Sequence, residues 1–112
     1  MKIAFTTQGT EWDSKMDPRF GRAAWILVYD EDTDKFSSID NSDVAGEAHG
    51  AGPRTAQRLF EFQPDVLITG NGPGGNAGTA LKEAGIVSYI GAGDMTVKEA
   101  FSAFKNNSLK KA

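Results

Sequence analysis

Five short runs of strand-type composition limit what this chain can fold into. They are separated by glycine, proline and polar clusters and cover residues 2–7, 23–30, 36–41, 65–70 and 86–91. Runs of this length fit β-strands and are too short to span a membrane as helices. We therefore expect a five-stranded sheet, with the most polar run, 36–41, at its edge.

Helical periodicity begins only after the third run. Pro53 fits the first position of a helix, and Gly85 fits a helix end. Thr96 and Glu99 have the spacing of a capping box. The apolar stripes that follow or precede these signals are Ala56, Leu59 and Phe60; Ala77, Ala80, Leu81 and Ala84; and Val97, Ala100, Phe101 and Phe104.

The order of elements is therefore βββαβαβα, a hairpin meander followed by alternating helices and strands. Such alternation implies right-handed crossovers and parallel pairing of the later strands. This predicts an α/β fold with a mixed five-stranded sheet and flanking helices. The same order occurs in the ribonuclease H-like fold. The run 2–7 carries no acidic residue, which argues against the two-metal chemistry of nucleases.

Size and charge narrow the class of protein. The 112 residues fit a single domain, 1–112, whose polar tail 105–112 is expected to fray. Twelve basic and 15 acidic residues give a net charge of -3, which argues against a nucleic-acid footprint. With no membrane-length apolar run, and with Met1 and Lys2 leading directly into the first strand, the expected location is cytoplasmic.

The chain has no cysteine and one histidine, which restricts its chemistry. Disulfides, thiolate catalysis and cysteine-held zinc or iron–sulfur clusters are excluded within this chain. Neither a nucleophile–base pair nor a cluster of several carboxylates can be assembled from the sequence. We therefore expect a non-enzymatic domain.

Candidate ligand-binding residues fall in three irregular segments, 8–22, 42–52 and 70–76. In open α/β sheets ligands bind beyond the carboxyl ends of the strands, so these segments are expected to converge there. The third segment carries GNGPGG, which matches G-x-G-x-x-G and precedes Asp94 by about 20 residues. Too little chain follows for a complete dinucleotide-binding unit, and Pro73 lacks an N–H. A tight turn and an anion-binding turn both remain open, with Gly70, Asn71, Gly72, Gly74 and Gly75 as candidates.

His49 and Gly50 lie in GEAHGAGP, just before the first predicted helix. A neutral imidazole can coordinate iron, zinc, copper or nickel, although one histidine does not build a tight site. Further ligands would come from a bound substrate, from another chain, or from carboxylates such as Asp43 or Glu47. The alternative is a histidine in a surface turn.

Two arginines lie in DPRFGR, residues 17–22. Phe20 can anchor this loop on the core while Arg19 or Arg22 faces an anionic ligand. In the alternative interpretation, proline and glycine shape the entry to the second strand and both guanidinium groups are solvated.

In their order and spacing, these segments resemble the dinitrogenase iron-molybdenum cofactor biosynthesis family. This family includes stand-alone cofactor carriers and the carboxy-terminal domain of the cofactor-maturation radical enzyme. The resemblance runs from MKIAFTT to TVKEAFSAF. It rests on DPRFGRAAWILVYD, on HGAG before the first helix, and on DVLITGNGPGGNAGTALKEAGI.

The resemblance implies a ribonuclease H-like fold without nuclease activity and a role related to nitrogen fixation. It implies binding of an iron–sulfur or iron–molybdenum cluster, or its precursor, and transfer between a donor and an acceptor protein. His49 matches the histidine that some carriers use as a metal ligand. An anion- or nucleotide-binding module using residues 70–76, or a protein-interaction domain without a small ligand, remains the alternative.

Overall fold

The computed structural model describes residues 1–46 and 50–112. Within them the chain forms a six-stranded mixed sheet with helices on both faces. The strands are β1 Lys2–Thr7, β2 Trp25–Asp30, β3 Lys35–Asp40, β4 Val66–Ile68, β5 Val87–Ile90 and β6 Lys110–Lys111. The helices are α1 Ser42–Ala45, α2 Ala51–Phe60, α3 Gly75–Glu83 and α4 Val97–Lys105.

The strands lie in the order β3-β2-β1-β4-β5-β6. The hairpin pairs β1–β2 and β2–β3 are antiparallel, whereas β1–β4 and β4–β5 are parallel. The predicted α/β class, with a mixed sheet and flanking helices, is confirmed. The ribonuclease H-like relationship stays a prediction.

The predicted number of five strands is wrong, because the polar tail ends in a sixth strand. Lys110 pairs with Ile90 and Lys111 pairs with Tyr89, antiparallel to β5. The backbone N–H of Ala112 continues the ladder by donating to the carbonyl of Ser88 at 2.8 Å. Both β6 side chains are exposed, so the strand is held in the sheet by backbone hydrogen bonds. For the same reason, no apolar pattern in the sequence predicts it.

Two helical details also differ from the prediction. The segment expected to be irregular, 42–52, contains the one-turn helix α1 and the start of α2. Helix α2 begins at Ala51, so Pro53 is its third residue and not its first. The first turn of a helix needs no intrahelical N–H donor, and proline is therefore tolerated at this position too. The N-cap is Gly50, whose φ of 77° suits glycine.

Successive side chains of the central strands pack alternately into two separate cores. On β1, Ala4 packs into the core beneath α2 and α3, whereas Ile3 and Phe5 pack into the core beneath α4. On β4, Leu67 joins the first core and Ile68 the second. This alternation is the period of two that a sheet covered on both faces requires. No helix in the described part of the chain is long and apolar enough to cross a membrane.

The register of the central strands brings two loops together. Strands β1 and β4 run parallel, with Ala4 beside Leu67 and Phe5 beside Ile68. Their carboxyl ends therefore lie side by side. The loop after β1 and the glycine segment after β4 therefore leave the sheet at the same end, the one where the carboxyl termini of these strands lie.

Candidate binding groove at the carboxyl edge of the sheet

A groove of about 540 Å³ opens at the carboxyl end of the central strands. We call it the arginine groove. It is lined by three stretches of chain, which are Arg19, Phe20, Gly21 and Arg22; Gly50, Ala51, Gly52 and Pro53; and Asn71, Gly72, Pro73, Gly74 and Ala77. The three irregular segments predicted to converge do so here.

Most of the candidate residues named from the sequence lie on this groove. Six of them line it, namely Arg19, Arg22, Gly50, Asn71, Gly72 and Gly74. Gly75 begins α3 and lines a neighbouring groove instead. Gly70 is not among the lining residues of either groove. His49 lies outside the described residues, as does Glu47.

A pair of buried threonines fixes the loop that carries the arginines. The hydroxyl groups of Thr6, on β1, and Thr69, just after β4, lie 2.7 Å apart and share a hydrogen bond. The Thr6 hydroxyl also lies 2.9 Å from the carbonyl oxygen of Asp17, and the Asp17 N–H donates to the Thr6 carbonyl at 2.8 Å. Neither threonine was predicted from the sequence as a site residue. Their only sequence signal is a hydroxyl residue at the end of each of two apolar strands.

Close backbone packing joins the same loop to the glycine segment. The N–H of Asn71 donates to the carbonyl of Pro18 at 2.8 Å. A Cβ atom on Gly70 would lie 2.5 Å from the Cα of Pro18, closer than any side chain tolerates. Gly70 therefore allows two loops to touch, which is a different use of glycine from the ligand approach predicted for it.

Gly21 plays the same part toward α2. A Cβ atom there would lie 2.8 Å from the backbone nitrogen of Gly52, in the first turn of the helix. Phe20 is buried and packs into the core beneath α2 and α3, as expected of an anchor. The three stretches that line the groove are thus held against one another by the backbone and not by long side chains.

The described side chains that line the groove include two guanidinium groups and no carboxylate. The Arg19 side chain is 63% exposed, and its Nε lies 3.4 Å from Oδ1 of the buried Asp17. The same Oδ1 accepts from the Arg19 backbone N–H at 2.9 Å, which orients the start of the side chain. Arg22 donates from Nη1 to the carbonyl of Ala45 at 3.0 Å. Such a wall favours an anionic ligand, because guanidinium N–H groups bind anions through charge-assisted hydrogen bonds.

The glycine segment adds backbone donors to this wall. Gly72 and Gly75 have φ values of 86° and 60°, which favour glycine. The N-cap of α3, Gly74, supplies no side-chain hydrogen bond, so no capping side chain occupies the first N–H groups of this helix. Free N–H groups and the positive end of the helix dipole both favour an anion.

A dinucleotide-binding unit is not formed here. In that unit the glycine motif follows the first strand of a parallel sheet. Here GNGPGG follows β4, and β1 pairs antiparallel with β2. The segment is therefore a glycine turn before a short helix, within a different topology.

The described residues provide no ready-made metal site. They contain no group of three or more histidine, cysteine, aspartate or glutamate side chains able to hold a metal ion. Asp43, considered as a ligand from the sequence, instead forms a two-point ion pair. Its Oδ1 and Oδ2 accept from Nη1 and Nη2 of Arg58 at 2.8 and 2.7 Å. This hydrogen bonding with Arg58 lowers the pKa of Asp43 from 3.8 to about 2.

Solved structures of known proteins share this fold. The orange protein from Desulfovibrio gigas, solved in its apo form, is 37% identical, with a TM-score of 0.91 over 99% of this chain and 92% of that one. A NifB-like protein of the DUF35 family from Thermotoga is 34% identical, with a TM-score of 0.83 over 98% of this chain and 91% of that one. A third solved chain, at 18% identity and a TM-score of 0.73, shows the fold alone.

Among curated proteins, no match to this chain was found. The model of the family described as dinitrogenase iron-molybdenum cofactor matches residues 1–107. This match spans both cores and the whole arginine groove. The chain therefore belongs to the dinitrogenase iron-molybdenum cofactor family.

Proposed function

We propose that this chain is a non-enzymatic carrier that holds an iron–sulfur or iron–molybdenum cluster, or its precursor, in the arginine groove. It receives the cluster from a donor protein and passes it to an acceptor protein in the cytoplasm. The family supports the class of cargo. The observation that carries the proposal is the convergence of three segments on a groove whose described lining has two arginines and no carboxylate.

Such a lining suits the surface of a metallocluster. Clusters of this kind are anionic and rich in sulfide, and accept hydrogen bonds from guanidinium and backbone N–H groups. Arg19 and the N–H groups around Gly72 and Gly74 would supply these bonds. His49 would coordinate one metal ion, since it directly precedes Gly50 in the groove wall.

The chain's donor set favours release over permanent binding. The chain has no cysteine, so no thiolate fixes the cluster in place. One imidazole ligand together with hydrogen bonds gives a hold that an acceptor protein with more or softer ligands can break. A carrier needs such a hold.

Anaerobic titration of the protein with isolated iron–molybdenum cofactor tests the proposal, with binding followed by absorbance and by NMR. We expect shifts at Arg19, Gly50 and Gly72, and loss of affinity in His49→Ala. Arg19→Gln should bind about fivefold more weakly, the size of one partly exposed ion pair. Lys98→Gln, an exposed change on α4 at the other face of the sheet, is the matched control.

If the wild type, Arg19→Gln and His49→Ala bind isolated iron–molybdenum cofactor with equal affinity, the arginine groove is not the cluster site. Arg19→Gln is preferred to a change at Arg22, because Arg22 also holds the carbonyl of Ala45. Arg19 also contacts the buried Asp17 at 3.4 Å, so urea unfolding of Arg19→Gln and its NMR spectrum without ligand check that the loop is intact.

A second candidate function is an anion- or nucleotide-binding module centred on residues 70–76. The observation in its favour is the N-terminus of α3, where glycines surround first-turn N–H groups that have no side-chain cap. Titration with inorganic phosphate, and separately with ATP, would then shift Gly72 to Ala77 and leave His49 unchanged. If neither these anions nor the cofactor perturbs the three segments, the domain acts through protein contacts alone.

A further inference from the structure

A second groove, of about 670 Å³, lies on the other side of the glycine segment. We call it the edge groove, because it follows β5 and β6 at the margin of the sheet. Its lining residues are Asn71, Gly72, Pro73, Gly74, Gly75, Gly78, Thr79, Lys82, Gly85, Ile86, Val87, Ser88, Ile90, Lys111 and Ala112. Neither the family comparison nor the proposed carrier function assigns a role to it.

Small residues on α3 and a short neighbouring strand leave this groove open. Helix α3 buries Ala77 and Leu81 against the sheet, but toward the edge it presents Gly75, Gly78 and Thr79. Strand β6 pairs with only the last two residues of β5. The four residues of β5 are each only partly buried, as an incompletely covered strand requires.

The lining of the edge groove combines apolar and cationic surface. Ile86, Ile90 and Pro73 supply apolar surface. Lys82 lies on α3 and Lys111 on β6. Both lysines are exposed, and within the described chain neither forms an ion pair. None of the lining side chains is acidic.

We propose that the edge groove binds a small organic anion with a flat apolar body. The anionic group would pair with Lys82 and Lys111, and the apolar body would cover Ile86 and Ile90. An inorganic anion would leave the apolar surface of the groove exposed to water, and a neutral apolar compound would form no ion pair with the two lysines. The volume falls within the range of pockets that hold small molecules, roughly 300–1,000 Å³.

The two grooves share a wall. Asn71, Gly72, Pro73 and Gly74 line both of them. A Cβ atom on Gly72 would lie 3.1 Å from the Cγ2 of Ile90, so the shared wall packs directly against Ile90 in the edge groove. Ligands in the two grooves would therefore lie against the same four residues. We expect binding at one groove to change the affinity of the other, and such a linkage is reciprocal. This linkage rests on the proposed carrier function, whereas the edge site itself does not.

The test uses 8-anilino-1-naphthalenesulfonate, which carries an aromatic body and one sulfonate, as the probe. We expect fluorescence enhancement on binding and NMR shifts at Thr79, Ser88 and Ile90. The double variant Lys82→Gln, Lys111→Gln should bind about 25-fold more weakly, the loss expected for two partly exposed ion pairs at about fivefold each. Lys98→Gln should bind as the wild type does.

A matched neutral probe separates charge from apolar contact. N-phenyl-1-naphthylamine has the same rings without the sulfonate, so its weaker binding should not change in the double lysine variant. Urea unfolding of each variant checks that the fold is intact. Equal affinity of wild type and double variant for the sulfonate would overturn the proposal. So would shifts confined to Trp12, Phe36 and Phe101 on the opposite face.

Two further measurements distinguish this site from the carrier function. Arg19→Gln should leave the affinity for the sulfonate unchanged, since Arg19 lines only the arginine groove. With the edge groove filled by the probe, the affinity for isolated iron–molybdenum cofactor should change. If the sulfonate binds at Lys82 and Lys111 but the cofactor never binds, the edge site stands and the carrier function fails.

Discussion

At the scale of single residues, the arginine groove depends on positions where the backbone itself makes the contact. Gly70 lies against Pro18, and Gly21 lies against Gly52. The Thr6 and Thr69 hydroxyl groups join the two strand ends beneath these contacts. In this groove, backbone contacts beneath the arginines set their positions. Small residues therefore determine where the charged residues lie.

Gly70→Ala should destabilise the fold by about 1–3 kcal/mol, the usual cost of forcing an atom into a packed site. Its Cβ would lie 2.5 Å from the Cα of Pro18, which is backbone and cannot swing aside. Gly52→Ala is the matched control, because its Cβ would make an ordinary contact at 3.5 Å with Ala77. Urea unfolding compares the two variants, and equal stability would contradict the packing role of Gly70.

Asp43 should make the stability of the protein depend on acid. Its pKa is lowered from 3.8 to about 2 by hydrogen bonding with Arg58. The stabilisation is therefore present above about pH 4 and is lost as the pH falls through about 2. Asp43→Asn should be less stable than wild type at neutral pH, with a difference that shrinks as the pH approaches 2.

Urea unfolding at a series of pH values measures this difference. Asp13→Asn is the control, because Asp13 is exposed and forms no ion pair within the described chain. A constant gap between wild type and Asp43→Asn from neutral pH down to pH 2 would show that the ion pair is not the source.

At the scale of elements, the starts of the three longer helices differ in how they are capped. Helix α4 starts with a complete capping box, in which Thr96 accepts from the N–H of Glu99 and Glu99 accepts from the N–H of Thr96. Helices α2 and α3 start at glycines with no side-chain cap, and both starts line the arginine groove. The first N–H groups of these two helices therefore have no side-chain cap, which the proposed binding of an anion in this groove requires.

Thr96→Ala should cost about 1 kcal/mol of stability, the typical effect of removing an N-cap oxygen. The oxygen accepts at 3.2 Å from the N–H of Glu99, and the Glu99 carboxylate accepts in return from Thr96 at 2.9 Å. Thr96→Ser keeps the hydroxyl and should retain most of the stability. The midpoint of urea unfolding reports the change, and a serine variant as weak as alanine would argue against the cap.

The capping box was predictable from the sequence because it is local. Its two partners lie three residues apart and need no information about the rest of the fold. Strand β6 is the opposite case, since its two lysines pair with a strand about 20 residues away and bury nothing. Gly70 was predictable as a loop glycine, but its packing partner, 52 residues earlier in the chain, was not.

At the scale of the whole molecule, the sheet order places β1 and β4 at the centre, with two further strands on each side of the pair. Each has a neighbour on both sides. Because the two strands are parallel, their carboxyl ends lie together, and the arginine groove opens there. The margins of the sheet are β3 and β6. Stability should therefore fall from the centre of the sheet to its edges.

Hydrogen exchange followed by NMR measures this gradient. The amides of Ala4 and Leu67, on the interior strands, should be the most protected. Those of Lys110 and Lys111 should exchange faster by on the order of a thousandfold or more, because opening β6 exposes no buried side chain. Protection of β6 comparable to that of β1 would contradict this picture of the edge.

The sequence by itself determined the strands that bury side chains, the caps of α4 and the class of the fold. Each of these follows from local patterns, since the period of side-chain burial and the spacing of a capping box are written along the chain. It also placed Arg19, Arg22 and the glycines of 70–75 in loops.

Only the tertiary structure decided which loops meet and what each glycine does there. Contacts such as Thr6 with Thr69 and Gly70 with Pro18 join residues far apart in sequence, and small side chains carry no pattern that reveals their partners. The edge groove likewise forms only where α3, β5 and β6 come together in the fold. Its two lysines lie far apart in the sequence and line one groove only through the tertiary structure.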